Sequence, residues 1–349
     1  MAIATTTKCK NKLSEPDRKS TPQGLECKLF PEQSQGRLNQ SPCPVKMILK
    51  LSLLVESKRL TNTEAWQNRF SSLAEGPQLV AIGGGTGMPS LLRGLTQYTS
   101  NITAIVTVAD DGGSSGRLRR ELGVLPPGDF RGYIAALSRD EALMTQLLQF
   151  RFGACVADSY GAGRELQGHA FGNLLLAALV GITGSFDEAL LAAQRVLAMR
   201  GRVMPSSLAN VNLVADVLIG DPSQTATLQR IAGESTISNA GGRIQRVALD
   251  TANIRAYPPA LKAIFQAELI LIGPGSLYTR ILPNLLVPDL AQALQHARAP
   301  KAYISNIAQQ PGETLNYDVA DHVAAILQHI PTNFLDVVLA NDNLELDCE

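Results

Sequence analysis

From Pro77 onward, short apolar runs rich in β-branched residues alternate with stretches whose apolar positions recur every three or four residues. That alternation predicts βαβ units and an α/β fold with a mostly parallel sheet flanked by helices. Leu79 to Ile82, Ile102 to Val108, Val211 to Ile219, Val247 to Leu249, Leu269 to Ile272, Ala302 to Ser305 and Asp336 to Leu339 read as strands. A helix is expected from near Pro89, which suits a first helical turn, to near Tyr98. Asp129 to Phe152 and Phe171 to Arg200 read as a largely helical insertion, and Pro288 to His296 and Asp318 to His329 as crossover helices. Between the two halves of the insertion, residues 153–168 carry Gly161, Gly163 and Gly168 with few large apolar residues, which predicts a mobile loop.

Before Pro77 the pattern is absent. Residues 1–46 are rich in Lys, Ser, Thr, Pro and Gln, a composition that does not offset ordering entropy, and predict a disordered tail. Residues 47–76, with an apolar stretch from Ile48 to Val55, read as a linker or docking helix, and Met47 is a candidate start. The expected division is thus a tail (1–46), a linker (47–76), one domain (77–341) and a short C-terminal tail (342–349).

Over 349 residues, 45% hydrophobic content supports a sizeable core, while Lys+Arg and Asp+Glu both total 31. No global basic field exists to attract nucleic acid. No apolar run approaches the roughly 20 residues of a membrane span, so neither membrane insertion nor nucleic-acid binding is expected. The N-terminus lacks the apolar core of a secretory signal, and acidic residues weaken a transit-peptide reading; a cytoplasmic location is the default. Cys9, Cys27, Cys43, Cys155 and Cys348 form no CxxC pair and read as reduced thiols.

The strongest candidate chemistry follows the strand at Ile102 to Val108. Asp110-Asp111-Gly112-Gly113-Ser114-Ser115-Gly116-Arg117 packs acids, glycines, hydroxyls and a cation into one turn at a strand's carboxyl end, where open α/β sheets bind ligands. Asp110 or Asp111 suits a ribose hydroxyl, an uncharged ring or Mg2+; Gly113, Ser114 and Ser115 supply donors, and Arg117 suits a phosphate. A plain alternative is an acidic helix cap. Gly83-Gly84-Gly85-Thr86-Gly87 lets backbone approach a phosphate, but Ser90 stands where a dinucleotide fingerprint needs its third glycine, and no Walker-type lysine follows. Gly273-Pro274-Gly275-Ser276-Leu277-Tyr278 repeats the strand-then-glycine arrangement, with Ser276 for phosphate and Tyr278 for stacking on a base or bonding a sugar. Asp129 reads equally as an N-cap or a ligand contact, with Arg131 two residues on. His169 and Asn173 flank an expected helix start, where a histidine donates to phosphate, acts as acid or base, or is structural. His296, His322 and His329 read as surface or packing residues.

These blocks resemble the gluconeogenesis factor family (YvcK-like), within the superfamily that contains 2-phospho-L-lactate transferase. The resemblance covers about Pro77 to Asn341 and rests on the three glycine loops, Thr107 to Arg119, Pro126-Pro127-Gly128-Asp129, Gly168-His169 with Phe171-Gly172-Asn173, Leu282 to Leu286, and Gln310-Pro311-Gly312-Glu313-Thr314. Met88-Pro89, Gly132-Tyr133 and Ala308-Gln309 depart from the family's usual residues. The resemblance implies a Rossmann-like core that binds a UDP-sugar, UDP-N-acetylglucosamine in particular. It also implies a regulatory role linking carbon metabolism to cell-wall synthesis and cell shape, without turnover, through an unidentified protein partner and with a homo-oligomer as one possible assembly. The alternative is a Mg2+-dependent transferase on a nucleoside diphosphate donor, with Asp110 or Asp111 orienting the acceptor or metal and Arg117 and His169 assisting. A weaker third reading is an NAD-dependent oxidoreductase.

Overall fold

The computed structural model describes residues 2–3, 76–153, 166–220, 226–251, 253–330 and 334–342. The expected tail 1–46 (apart from residues 2–3), the expected linker up to residue 75, residues 154–165 of the expected mobile loop and residues 343–349 lie outside them.

The main sheet consists of β1 (Ala2–Ile3), β2 (Leu79–Gly83), β3 (Ile102–Val106), β4 (Arg202–Pro205), β8 (Leu269–Ile272), β9 (Lys301–Ile304) and β10 (Val337–Ala340). Its order is β1-β10-β9-β8-β2-β3-β4, parallel throughout except for the two-residue edge pairing of β1 with β10. β2, β8 and β9 are buried along their full length, which is why each reads as a continuous apolar run instead of alternating. From β2 the chain first builds outward through β3 to β4, and later returns to build β8, β9 and β10 on the other side. The strand order therefore reverses between β2 and β8, the topological switch point at which such sheets bind ligands.

Helices α1 (Gly87–Leu95), α2 (Gly113–Leu122), α3 (Gly128–Leu137), α4 (Glu141–Gln149), α5 (Phe171–Thr183) and α6 (Phe186–Val196) fill the first half. The stretch read as one helical run at 129–152 breaks at Ser138 to Asp140, where the Asp140 side chain caps α4 by accepting from the Leu143 amide. The run at 171–200 breaks at Gly184, which sits in the left-handed region (φ 86°), and Ser185 then caps α6. The two helices bend by 115° there, and among the described residues no single helix is long and apolar enough to cross a membrane.

Two expected strands belong elsewhere. β5 (Leu213–Ile219), β6 (Thr227–Ala232) and β7 (Arg243–Leu249) form a separate antiparallel sheet in the order β6-β5-β7, with α7 (Glu234–Ser238) between β6 and β7. β6 escapes a pattern search because it is largely exposed and carries no apolar alternation, and β4 because Arg202-Val203-Met204-Pro205 is too short and mixed. α8 (Pro258–Gln266), a π-helical turn (Leu277–Ile281) running into α9 (Leu282–Leu285), α10 (Pro288–His296) and α11 (Val319–His329) complete the chain. Asp318 and Asp321 form a reciprocal capping box at the start of α11. His322 and His329 are packing residues: one bonds the Tyr303 hydroxyl from within the core, and the other accepts the Val247 amide.

A crevice at the strand ends with an arginine ringed by carboxylates

The three glycine-bearing turns leave β8, β2 and β3, which are adjacent and parallel. Register sets them level, since Ile272 pairs with Ile82 and Gly83 with Val106. Their backbones then touch. A Cβ at Gly275 would run into the Gly84 carbonyl oxygen, and one at Gly84 would lie 2.8 Å from Asp129 Oδ2 and 2.9 Å from Arg280 Cβ. Only glycine lets these segments meet, so Gly275→Ala is expected to force the β2 and β8 loops apart and lower the unfolding free energy by about 1–3 kcal/mol. Denaturant unfolding measures this, and an unchanged midpoint would contradict the contact.

Two helix amino termini converge on the crevice. α1 begins at Gly87 directly after the first loop, two residues before the expected start at Pro89. The segment read as a loop from Asp110 to Arg117 is helical from Gly113, so α2 aims its free amides back at the end of β3. Ser114 and Ser115 are buried in its first turn. Ser114 Oγ lies 3.0 Å from His169 Nδ1 and accepts from Asn173 Nδ2 at 3.0 Å, while Asn173 Oδ1 accepts from Arg131 at 3.2 Å. The Ser114 hydroxyl thus accepts from Asn173 and shares a further hydrogen bond with His169 Nδ1, whose direction follows the histidine tautomer. Burial and then Arg117 hold the His169 pKa below its ordinary value, in keeping with a neutral ring. Arg117 reaches across to the Gln167 carbonyl at 2.8 Å.

The centre of the site is a residue that the sequence reading passed over. Arg280, on the π-helical turn after β8, has a side chain only 15% exposed and faces Asp110 at 3.5 Å, Asp129 at 3.4 Å and Glu234 at 3.2 Å. Burial alone would lower its pKa, but Asp129, Asp110 and Glu234 together raise it. The contact with Asp129 is an ion pair without hydrogen-bond alignment, since Asp129 Oδ2 and Arg280 Nη1 are both buried and bonded to nothing. Asp129 is not the cap of α3; it sits in the first turn, and burial raises its pKa against the pull of Arg280. Burial likewise pushes Glu234 up to about 7, with Arg280 opposing.

Glu313 is the second residue whose role was not read from the residue pattern. Buried, with its pKa raised by burial, it accepts from the Thr279 hydroxyl at 2.7 Å, the Tyr278 amide at 3.2 Å, Gln310 at 3.1 Å and Ser238 at 3.3 Å. It locks the Arg280 turn in place. Asp111 is not among the acids paired with Arg280 and accepts the Ser235 amide at the start of α7, at 2.9 Å. Tyr278 is 2% exposed, with its hydroxyl 2.9 Å from that of Tyr317, so it offers no ring face for stacking. On the β8 side of the switch point, Thr86, Gly87, Pro274, Gly275, Ser276 and Asn306 help line a cavity of about 560 Å³ with no charged side chain among the described residues of its wall.

The sequence profile of the family described as 2-phospho-L-lactate transferase CofD matches residues 79–348. This chain belongs to the CofD family. Within it, a protein of Bacillus subtilis strain 168 named gluconeogenesis factor is 48% identical over 269 residues, covering 77% of this chain and 80% of that protein. A Nostoc sp. PCC 7120 relative is 53% identical over 254 residues, 73% of this chain and 52% of its own, so the chain spans about half the length of that protein. The CofD fold is also seen in a Bacillus halodurans crystal structure described as a member of the UPF0052 family, which superposes with a TM-score of 0.69 at 42% identity, covering 78% of this chain and 82% of that one.

Proposed function

We propose that the crevice binds a nucleotide sugar, UDP-N-acetylglucosamine or UDP-glucose, and that the chain is a cytoplasmic gluconeogenesis factor. In this reading it reports the level of that ligand to cell-wall synthesis and cell shape through a protein partner, without turnover. One observation carries it: two helix amino termini stand level at the ends of adjacent β2 and β3, beside an uncharged cavity at the switch point. A diphosphate accepts from those amides, an uncharged base enters the cavity without stranding a charge, and the sugar hydroxyls meet the carboxylates around Arg280. Relatives named gluconeogenesis factor support the assignment of role.

The family's transferase description keeps a second reading open, in which Mg2+ assists transfer from a nucleoside diphosphate donor. Among the described residues, however, Asp110, Asp129 and Glu234 converge on a guanidinium that already occupies the place of a cation. That donor set does not fit a magnesium ion. Calorimetric titration with UDP-N-acetylglucosamine, UDP-glucose, GDP and NAD separates the possibilities. Saturable heat with either UDP-sugar is expected, and silence with both overturns the proposal; Mg2+-dependent release of a nucleoside monophosphate would instead establish the transferase.

A further inference from the structure

A second cavity lies at the opposite end of the sheet. About 1040 Å³ in volume, it opens at the amino-terminal ends of β2, β3 and β4, against the start of α8 and the turn that follows α6. The five residues of β2 place it about 16 Å from the glycine loops, at 3.3 Å per residue. Ligands of the crevice do not reach it.

Among the described residues its wall carries Arg139, Arg200, Arg202 and Lys262 and no carboxylate. Glu268, just before β8, is engaged with the backbone: its Oε2 accepts the Gln78 amide at 2.8 Å. None of the four cations makes an ion pair or side-chain hydrogen bond with another described residue. This is unusual in a chain whose formal charges cancel, 31 against 31. Backbone contacts bring the residues to one rim. The Arg200 amide donates to the Leu137 carbonyl and Ser138 bridges Met199, which sets Arg139 beside Arg200; Arg202 is then fixed by pairing with Thr103 on β3. Backbone contacts thus bring Arg139, Arg200 and Arg202 to one groove, with their side chains exposed to solvent, where an anion can reach them.

We propose that this groove is a second ligand site, which takes a small molecule bearing two or more phosphate groups. Arginine forks match phosphate oxygens in pairs, which favours phosphate over a simple carboxylate. The cavity has room for a ligand of nucleotide size. Occupancy here touches neither the glycine loops nor Arg280, so the site is regulatory in character and its existence does not depend on the identity of the crevice ligand.

Inorganic pyrophosphate is the probe, titrated by calorimetry into the full chain and into the R139Q/R200Q/R202Q variant. Saturable binding that weakens with added salt is expected in the unaltered chain, with a loss of at least roughly tenfold in the variant. The thermal unfolding midpoint and the UDP-sugar titration should be unchanged in that variant, because the arginines have no described partners to lose. K262Q alone, on a different helix, should weaken binding in the same direction if the triple variant does not fold. Absence of pyrophosphate binding, or equal affinity in the variants, overturns the site; failure of UDP-sugar binding alone leaves it standing and overturns only the reading of the crevice.

Discussion

Replacing Arg280 with alanine is expected to lower the unfolding free energy at pH 8 by about 3–5 kcal/mol and to abolish ligand binding in the crevice. The substitution strands Asp110, Asp129 and Glu234 around an empty centre, with each carboxylate close enough to raise the energy of the others. Protonation relieves part of the strain, so the loss at pH 5 should be smaller than at pH 8. Arg280→Lys restores a charge without the planar fork and should recover only part of the stability. Urea unfolding at both pH values measures this directly. A loss below about 1 kcal/mol at pH 8 would mean that the three acids are not held together by this guanidinium.

The Glu234→Gln variant should do the opposite and become more stable than the unaltered chain in alkaline solution. The folded pKa of Glu234 is about 7, above its ordinary value of 4.5. Between those values the native state keeps a proton that the unfolded chain has already released, so stability falls as pH rises through that window and levels off above it. At 1.36 kcal/mol per pKa unit the effect is on the order of 3 kcal/mol, an upper figure for a group near the surface of a crevice. His169, His322 and His329, each held below 6.5, act in the reverse sense, losing stability as pH falls through the same range, so the raw profile mixes both trends. The difference between E234Q and the unaltered chain isolates Glu234. It should be near zero at pH 4.5, grow in favour of the variant as pH rises to about 7, and stay constant above that. A variant less stable at pH 8 would show that the ion pair with Arg280 outweighs burial.

Continuous apolar runs betrayed β2, β3, β8 and β9, because strands covered on both faces leave a signal that needs no partner to interpret. The glycine turns after three of them announced where the crevice lies. What remained hidden was of two kinds. β6 has no apolar face to reveal it, and its pairing is imposed by β5. Arg280, Glu234 and Glu313 are single charged residues scattered over the later chain, and only the fold shows that one guanidinium collects acids from the turn after β3, from α3 and from α7. The one local hint was Arg280 itself, a cation placed just beyond a glycine turn and an apolar strand where burial is the rule. Tyr278 shows the converse limit: an aromatic beside a binding turn turned inward to Tyr317 because the π-helical winding rotates it toward the core.

Helix α7 gives the small sheet a reach beyond its size. Its five residues are gripped at three points, the Ser235 amide by Asp111, Glu234 by Arg280 and Ser238 by Glu313, and its amino-terminal end follows directly on β6, a largely exposed strand. The antiparallel sheet therefore reaches into the crevice: one of the three carboxylates at Arg280 is carried by the small sheet's own connection, so the charge a ligand meets there is assembled from both sheets.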